Sequence, residues 1–131
     1  MTSIPQYPIL WGETLPAGAD LSAKQFHFVM QSSGTYVVCD AATDLADGVL
    51  QNKPALGEPC EVLALGPTKV VADAAIVSGA LIGTSADGQA DTKVPGTDTT
   101  EYVVGRALGA AAAAGNIIAA FINCMTPHRA A

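Results

Sequence analysis

The chain has 131 residues, of which half are apolar and 14% are charged, so it suits one folded domain and excludes a disordered chain. Six basic and twelve acidic residues give a formal net charge of −6, which is opposite to the charge that nucleic-acid binding requires. No apolar run reaches the roughly 18 residues of a membrane span, and the N-terminal sequence lacks the features of a signal peptide, so we expect a protein outside the membrane.

The first 25 residues predict an extended N-terminal arm. Pro5, Pro8 and Pro16 exclude a helix or a central strand there and favour extended chain. The arm nevertheless carries large apolar side chains, which must be buried across its own domain or on another molecule. We predict residues 1–25 as the arm and residues 26–131 as the folded domain. The candidate anchors on a partner are Tyr7, Ile9, Leu10 and Trp11.

Short strands are predicted from residue 26 onward. Residues 26–31 alternate in side-chain type, and the turn at 32–34 leads into residues 35–39, so this segment predicts a hairpin. Residues 41–48 allow one helical turn before extended chain resumes at 48–52. Gly66-Pro67 interrupts the next apolar run, which predicts a second reversal between residues 61–66 and 68–72.

Two more hairpins are predicted in the C-terminal half. Asp87-Gly88 is typical of a two-residue type I′ turn, in which both residues have positive φ. Five alanines at 110–114 favour a helix by propensity, but the surrounding glycines and Gly115-Asn116 favour strands over 103–114 and 117–123 instead. Many short strands with glycine-rich turns predict a mainly β domain, a small barrel or sandwich of short antiparallel strands.

The sequence contains few residues that are placed to act in catalysis. His27 lies inside a predicted strand and His128 lies close to the C-terminus. Cys39, Cys60 and Cys124 form no CxxC pair, so we interpret them as buried thiols of a reducing cytosol. A cysteine–histidine nucleophile pair is the enzymatic alternative. We predict a non-enzymatic protein with no catalytic residue and no cofactor.

The sequence favours neither a calcium site nor a modified lysine. Asp40, Asp44 and Asp47 share one loop, but this loop lacks the glycine and the closing glutamate of a calcium loop, so we predict no metal site. Lys69 and Lys93 lie near turns, as the modified lysine of a lipoyl or biotinyl domain does, but neither has the expected neighbours. We therefore predict no modification at either lysine.

From Gly48 to Asn123 the chain resembles the capsid decoration (cement) proteins of tailed bacteriophages. The resemblance covers about 76 residues and depends on the order of three segments, none of which carries a catalytic motif. These segments are GEPCEVLALG (57–66), IVSGALIGTSADGQA (76–90) and EYVVGRALGAAAAAGNIIAAFI (101–122).

This resemblance implies a β-barrel or β-tulip that forms a homotrimer at local threefold sites on the outer surface of a phage head. Such a protein is made in the host cytoplasm, binds the major capsid protein and stabilises the shell against the pressure of the packaged DNA. The low content of large core residues, with three Phe, three Tyr and one Trp, also favours burial between subunits.

Residues 1–47 form a longer N-terminal region than these decoration proteins usually have. We therefore predict that Tyr7, Ile9, Leu10 and Trp11 bind the capsid. The alternative function is a virion-associated module that binds a ligand or a carbohydrate through exposed aromatic rings, for which the candidates are Tyr7, Trp11, Tyr36 and Tyr102.

Overall fold

The computed structural model describes residues 9–10 and 15–131. Regular structure in these residues is entirely β, which confirms the predicted fold class. Among them there is no helix long and apolar enough to cross a membrane. In chain order the strands are β1 (Ile9–Leu10), β2 (Phe28–Ser32), β3 (Thr35–Val38), β4 (Gly48–Leu50), β5 (Val62–Val71), β6 (Leu81–Thr84), β7 (Ala90–Thr92), β8 (Tyr102–Val103), β9 (Gly105–Ala107), β10 (Ile117–Asn123) and β11 (His128–Arg129).

One antiparallel sheet contains most of these strands. Its order is β3-β2-β4-β5-β10-β9-β6-β7, with β1 added to β5, while β8 and β11 form a separate pair. The sheet curls so far that the turn after β6 reaches back to β2. There the Phe28 N–H donates a 2.7 Å hydrogen bond to Gly88 O. The curl encloses the main core, whose largest side chains are Phe28, Val49, Leu63, Val70, Ile76, Ile82, Val104, Ile118 and Ile122.

Residues 15–21, within the segment predicted as an arm, pack against the folded domain. Ala17 and Leu21 are 1% and 2% exposed and belong to a second apolar cluster, which contains Tyr36 and Leu50. Their N–H groups donate hydrogen bonds to backbone carbonyls of the loop between β4 and β5, at 2.8 Å and 2.9 Å. This part of the chain therefore contributes to the stability of the domain.

The hairpin of β2 and β3 confirms the sequence prediction. Both Ser33, with φ 51°, and Gly34, with φ 78°, adopt the positive φ that a type I′ turn requires. The hairpin of β6 and β7 is also present, but its predicted turn type is wrong. Only Gly88 has positive φ there (74°), and the Ser85 N–H donates to Gln89 O, so the loop has three residues.

The predicted reversal at Gly66-Pro67 is wrong, because β5 continues through it. β10 pairs with β5 without a register shift, from Ile117 opposite Val71 to Asn123 opposite Leu65. The Val71 N–H donates to Phe26 O and so points away from β10. Pro67 lies four residues before Val71, so its backbone nitrogen also faces away from β10. The missing N–H of Pro67 therefore removes no hydrogen bond from the pairing of β5 with β10.

The alanine-rich segment is a loop and not the predicted strand over 103–114. β9 ends at Ala107, and the chain then makes only an isolated bridge between Ala111 and Ile76 before β10 begins. Backbone hydrogen bonds hold this loop, because the Ala111 N–H donates to Ile76 O at 2.9 Å and the Gly115 N–H donates to Ala72 O at 2.8 Å. Residues 41–48, where one helical turn was predicted, contain a hydrogen-bonded turn from Asp44 N–H to Ala41 O and no helix.

Candidate interaction surface

The outward side of β10 is apolar where a solvent-exposed strand is normally polar. Ile118, Ala120 and Ile122 point into the core, as the alternation of a strand requires. The alternate residues of β10 point outward, and they include Ile117 at 56% exposure and Phe121 at 44%. A strand that is apolar on both sides has one side for its own core and one available for another surface.

Strand pairing brings two cations beside these side chains. Ala119 lies opposite Lys69 of β5, and Phe121 lies between Pro67 of β5 and Arg106 of β9. Lys69 and Arg106 are both exposed. We call Ile117, Ala119 and Phe121, together with Lys69 and Arg106, the β10 face.

A groove of about 300 Å³ borders the β10 face at Arg106 and Phe121. The Arg106 Nε–H donates a 3.1 Å hydrogen bond to Gly79 O, which fixes one side of the guanidinium. Among the described lining residues Arg106 carries the charge, so we call this the basic groove. Its lining consists of Leu81, Val103, Val104, Gly105, Arg106, Phe121, Asn123, Thr126 and His128.

Asn123 shapes one wall of the basic groove. Its side-chain carbonyl accepts hydrogen bonds from the N–H groups of Met125 and Thr126, at 3.1 Å and 3.2 Å. Its amide donates a 2.7 Å hydrogen bond to the Thr126 hydroxyl. These bonds hold the turn between β10 and β11, so this wall of the groove is formed before any partner binds.

The four predicted anchor residues are only partly within the described chain. Tyr7 and Trp11 lie outside the described residues. Ile9 and Leu10 form β1, whose backbone pairs with β5 opposite Leu65 and Leu63. Their binding to a capsid stays a prediction.

The aromatic residues considered for carbohydrate binding lack an open ring face where the structure describes them. Tyr36 is 1% exposed, and burial raises its pKa to about 12. Tyr102 is half-buried, and the guanidinium of Arg129 lies 5.0 Å from its ring centre. Neither ring has the open face on which a sugar stacks.

The cysteines and His27 lack the features of an activated nucleophile pair. Burial raises the pKa of Cys39 and of Cys124 to about 12 in each case, and it also raises the pKa of Cys60. A nucleophilic cysteine requires the opposite shift. His27 is 6% exposed, burial lowers its pKa, and its Nδ1 lies 3.1 Å from Gln25 O.

The raised thiol pKa values predict slow alkylation of the folded protein. At pH 8 we expect Cys39 to react with iodoacetamide at least about 100-fold more slowly than in urea, because the thiolate is the reacting form. The unfolded thiol ionises first, near pH 9.0, and the folded thiol near pH 12, so the free energy of unfolding should fall across that interval. Peptide mapping by mass spectrometry measures each rate, and equal rates in both states would contradict the assignment of Cys39 as buried and protonated.

The remaining titratable candidates have structural roles. One Asp44 oxygen accepts hydrogen bonds from the N–H groups of Asp40 and Ala41, both at 3.0 Å, and Asp47 accepts one from the Gln31 N–H at 2.7 Å. No cluster of three or more metal-ligating side chains occurs within residues 15–131. Lys93 is 2% exposed and pairs with Glu101, so its amine is not presented as in a modified carrier domain.

Sequence reasoning did not identify the basic groove, although a signal for the β10 face was present. Residues 117–122 are all apolar, and a strand exposed on one side normally alternates. Arg106 and His128 carried no comparable signal, because they lie on β9 and β11, two strands of different sheets that meet only at the groove.

The fold of this chain is similar to that of a known phage protein. The sequence matches no family model and no curated protein. The fold is similar to a crystal structure of the head fiber gp8.5 N base of bacteriophage phi29, with a TM-score of 0.63 and 22% sequence identity. The similarity covers 88% of this chain and 96% of that chain. At this identity the likeness establishes a shared fold.

Proposed function

We propose that this protein is a virion structural protein of a bacteriophage, which decorates the outer surface of the head. The observation that carries the proposal is the likeness to the base of a phage head fiber, because it extends over 88% of this chain. The sequence resemblance to capsid decoration proteins over residues 48–123 supports the same role by a separate route. The proposed partner is the major capsid protein.

The proposed mechanism is mechanical and needs no catalysis. A homotrimer at each local threefold site contacts several capsid subunits at once, so that modest contacts add up to a firm attachment. Each attached trimer then joins neighbouring capsomers and resists the internal pressure of the DNA. The net charge of −6 suits a surface that faces away from the packaged DNA.

Binding to purified heads tests this function. Heads assembled without this protein should bind it to saturation in a multiple of three copies for each local threefold site, as measured by sedimentation and by electron microscopy. Decorated heads should release DNA at a higher temperature than bare heads, because the added contacts must also break. Heads that fail to bind the purified protein, or bind it without ordered occupancy, would contradict the proposal.

The N-terminal anchors predict a specific loss of this binding. Trp11→Ala should weaken head binding at least about tenfold, which is the effect of losing a buried aromatic anchor. Deleting residues 1–14 should remove binding while the domain stays folded, because Ala17 and Leu21 remain in their apolar cluster. Binding is measured by sedimentation, and the unfolding midpoint of each variant reports on folding.

Val77→Ala is the matched control, since this side chain is 76% exposed and lies between β5 and β6, outside the arm and the loop that holds it. It should bind heads as the unaltered protein does. If the chain lacking residues 1–14 binds heads normally, the anchor hypothesis is wrong, and loops of the folded domain such as residues 94–101 become the candidates.

A further inference from the structure

The β10 face and the basic groove together form a solvent-exposed surface with more large apolar side chains than an exposed strand normally has. Phe121 and Ile117 are 44% and 56% exposed, and Leu108, whose N–H donates to Ala119 O, adds a third large apolar side chain at 55%. Ala119 between them leaves the face flat enough for close approach. Surfaces of this kind, apolar in the middle and charged at the rim, are typical of protein interfaces.

The charge of this surface is opposite to that of the whole chain. Lys69 and Arg106 line or border it, whereas the chain has twice as many acidic as basic residues. Within residues 15–131, none of the groove-lining residues is a carboxylic acid. A partner that fits this surface should therefore carry carboxylates around an apolar side chain.

The same chain presents a surface of that chemistry in the loop of residues 40–47, between β3 and β4. Leu45 is 44% exposed there, with exposed Asp40 and half-buried Asp44 and Asp47 around it. The hydrogen bonds that Asp44 and Asp47 accept from backbone N–H groups hold the loop in shape. The loop is thus preorganised, and docking it costs little conformational entropy.

We propose that the 40–47 loop of one copy docks on the β10 face and basic groove of a second copy. Leu45 packs on Phe121, and the aspartates of the loop face Arg106 and Lys69. Because the two surfaces differ, the contact is head-to-tail, and such contacts close into a ring when the rotation between copies allows it. This inference deepens the proposed function, because it assigns the contact by which the decorating trimer forms.

Single substitutions test the contact in the full chain. Arg106→Glu and Phe121→Ser should each raise the dissociation constant of the oligomer at least about tenfold, since they remove the cation and the apolar centre of the surface. The matched controls are Lys53→Glu and Leu56→Ser, which likewise reverse a positive charge and remove a large apolar side chain at exposed positions outside it. Light scattering over a concentration series measures the oligomer, and circular dichroism with thermal unfolding verifies folding.

A charge exchange within one chain identifies the occupant. In a ring every contact joins the groove of one copy to the loop of the next, so Asp40→Lys combined with Arg106→Glu should restore assembly to within about threefold of the unaltered protein. Asp40→Lys alone should weaken assembly as Arg106→Glu does.

Three outcomes would overturn the proposed contact. They are a monomeric unaltered protein at roughly 100 µM, a symmetric dimer, and failure of the charge exchange to restore assembly. Head binding is measured separately. A trimer that depends on these residues but does not bind heads would refute the proposed function and leave the contact intact.

Discussion

Replacing Glu101 with alanine is expected to lower the free energy of unfolding by about 3–5 kcal/mol, because it leaves the Lys93 ammonium buried without the carboxylate that pairs with it. The Lys93 side chain is fully buried, and Glu101 is 21% exposed. An isolated charge in such a site either stays desolvated or opens the structure around it to reach water. Both routes reduce the stability of the region between β7 and β8.

Loss of Lys93 and loss of Glu101 should lower the free energy of unfolding by different amounts. Lys93→Met should cost about 1 kcal/mol, since the partly exposed Glu101 can turn toward water. Replacing both, as Lys93→Met with Glu101→Leu, should recover most of the stability lost in Glu101→Ala, because no unpaired charge remains. Urea unfolding at pH 7 measures all three variants. Equal losses from Glu101→Ala and Lys93→Met would show that burial of the lysine is not the cause.

Replacing Gly88 with valine is expected to destabilise the protein by about 3 kcal/mol or more, from backbone strain and steric overlap together. Its φ of 74° is unfavourable for a β-branched residue. A Cβ there would also overlap Val38 Cγ2 and come within 3.2 Å of Cys39 O. The turn lies against β2 and β3 where the sheet curls back on itself, so it has no room to move aside.

Gly115 provides the matched comparison. It has a similar φ of 88°, but a Cβ there would meet no atom within 4 Å. Gly115→Val should therefore cost only the backbone strain, about 1–2 kcal/mol. Thermal and urea unfolding measure both variants. If the two losses are equal, packing against β2 and β3 contributes nothing at Gly88, and the contact between the ends of the sheet is weaker than its hydrogen bond indicates.

Most of the errors in the sequence interpretation have one origin, which is that pairing with a distant strand outweighs a local signal. Gly66-Pro67 has the composition of a turn, but seven residues of β10 pair across it in one register. The alanine run has the propensity of a helix, but its backbone is held by hydrogen bonds to residues 72–76. In each case the partner segment, residues 117–123 or residues 72–76, lies far along the chain, so the local sequence does not indicate it.

The candidate surface was foreseeable only in part. The apolar composition of residues 117–122 already indicates a strand with two covered sides, and this could be deduced without a structure. The cations beside this strand could not be deduced in the same way. Lys69 lies opposite Ala119, and Arg106 opposite Phe121, only because of the register of β10 with β5 and β9.

The sequence by itself determined the mainly β class and the positions of the hairpins at residues 28–38 and 81–92. Those features depend on turn residues with positive φ next to alternating side chains, and both act within a few residues of each other. Only the tertiary structure decided the continuity of β5, the loop over the alanines, the burial of Ala17 and Leu21, and the juxtaposition of the β10 face with the basic groove. These features depend on hydrogen bonds and packing between segments far apart in the chain, whose energies outweigh local conformational preferences of about 1 kcal/mol.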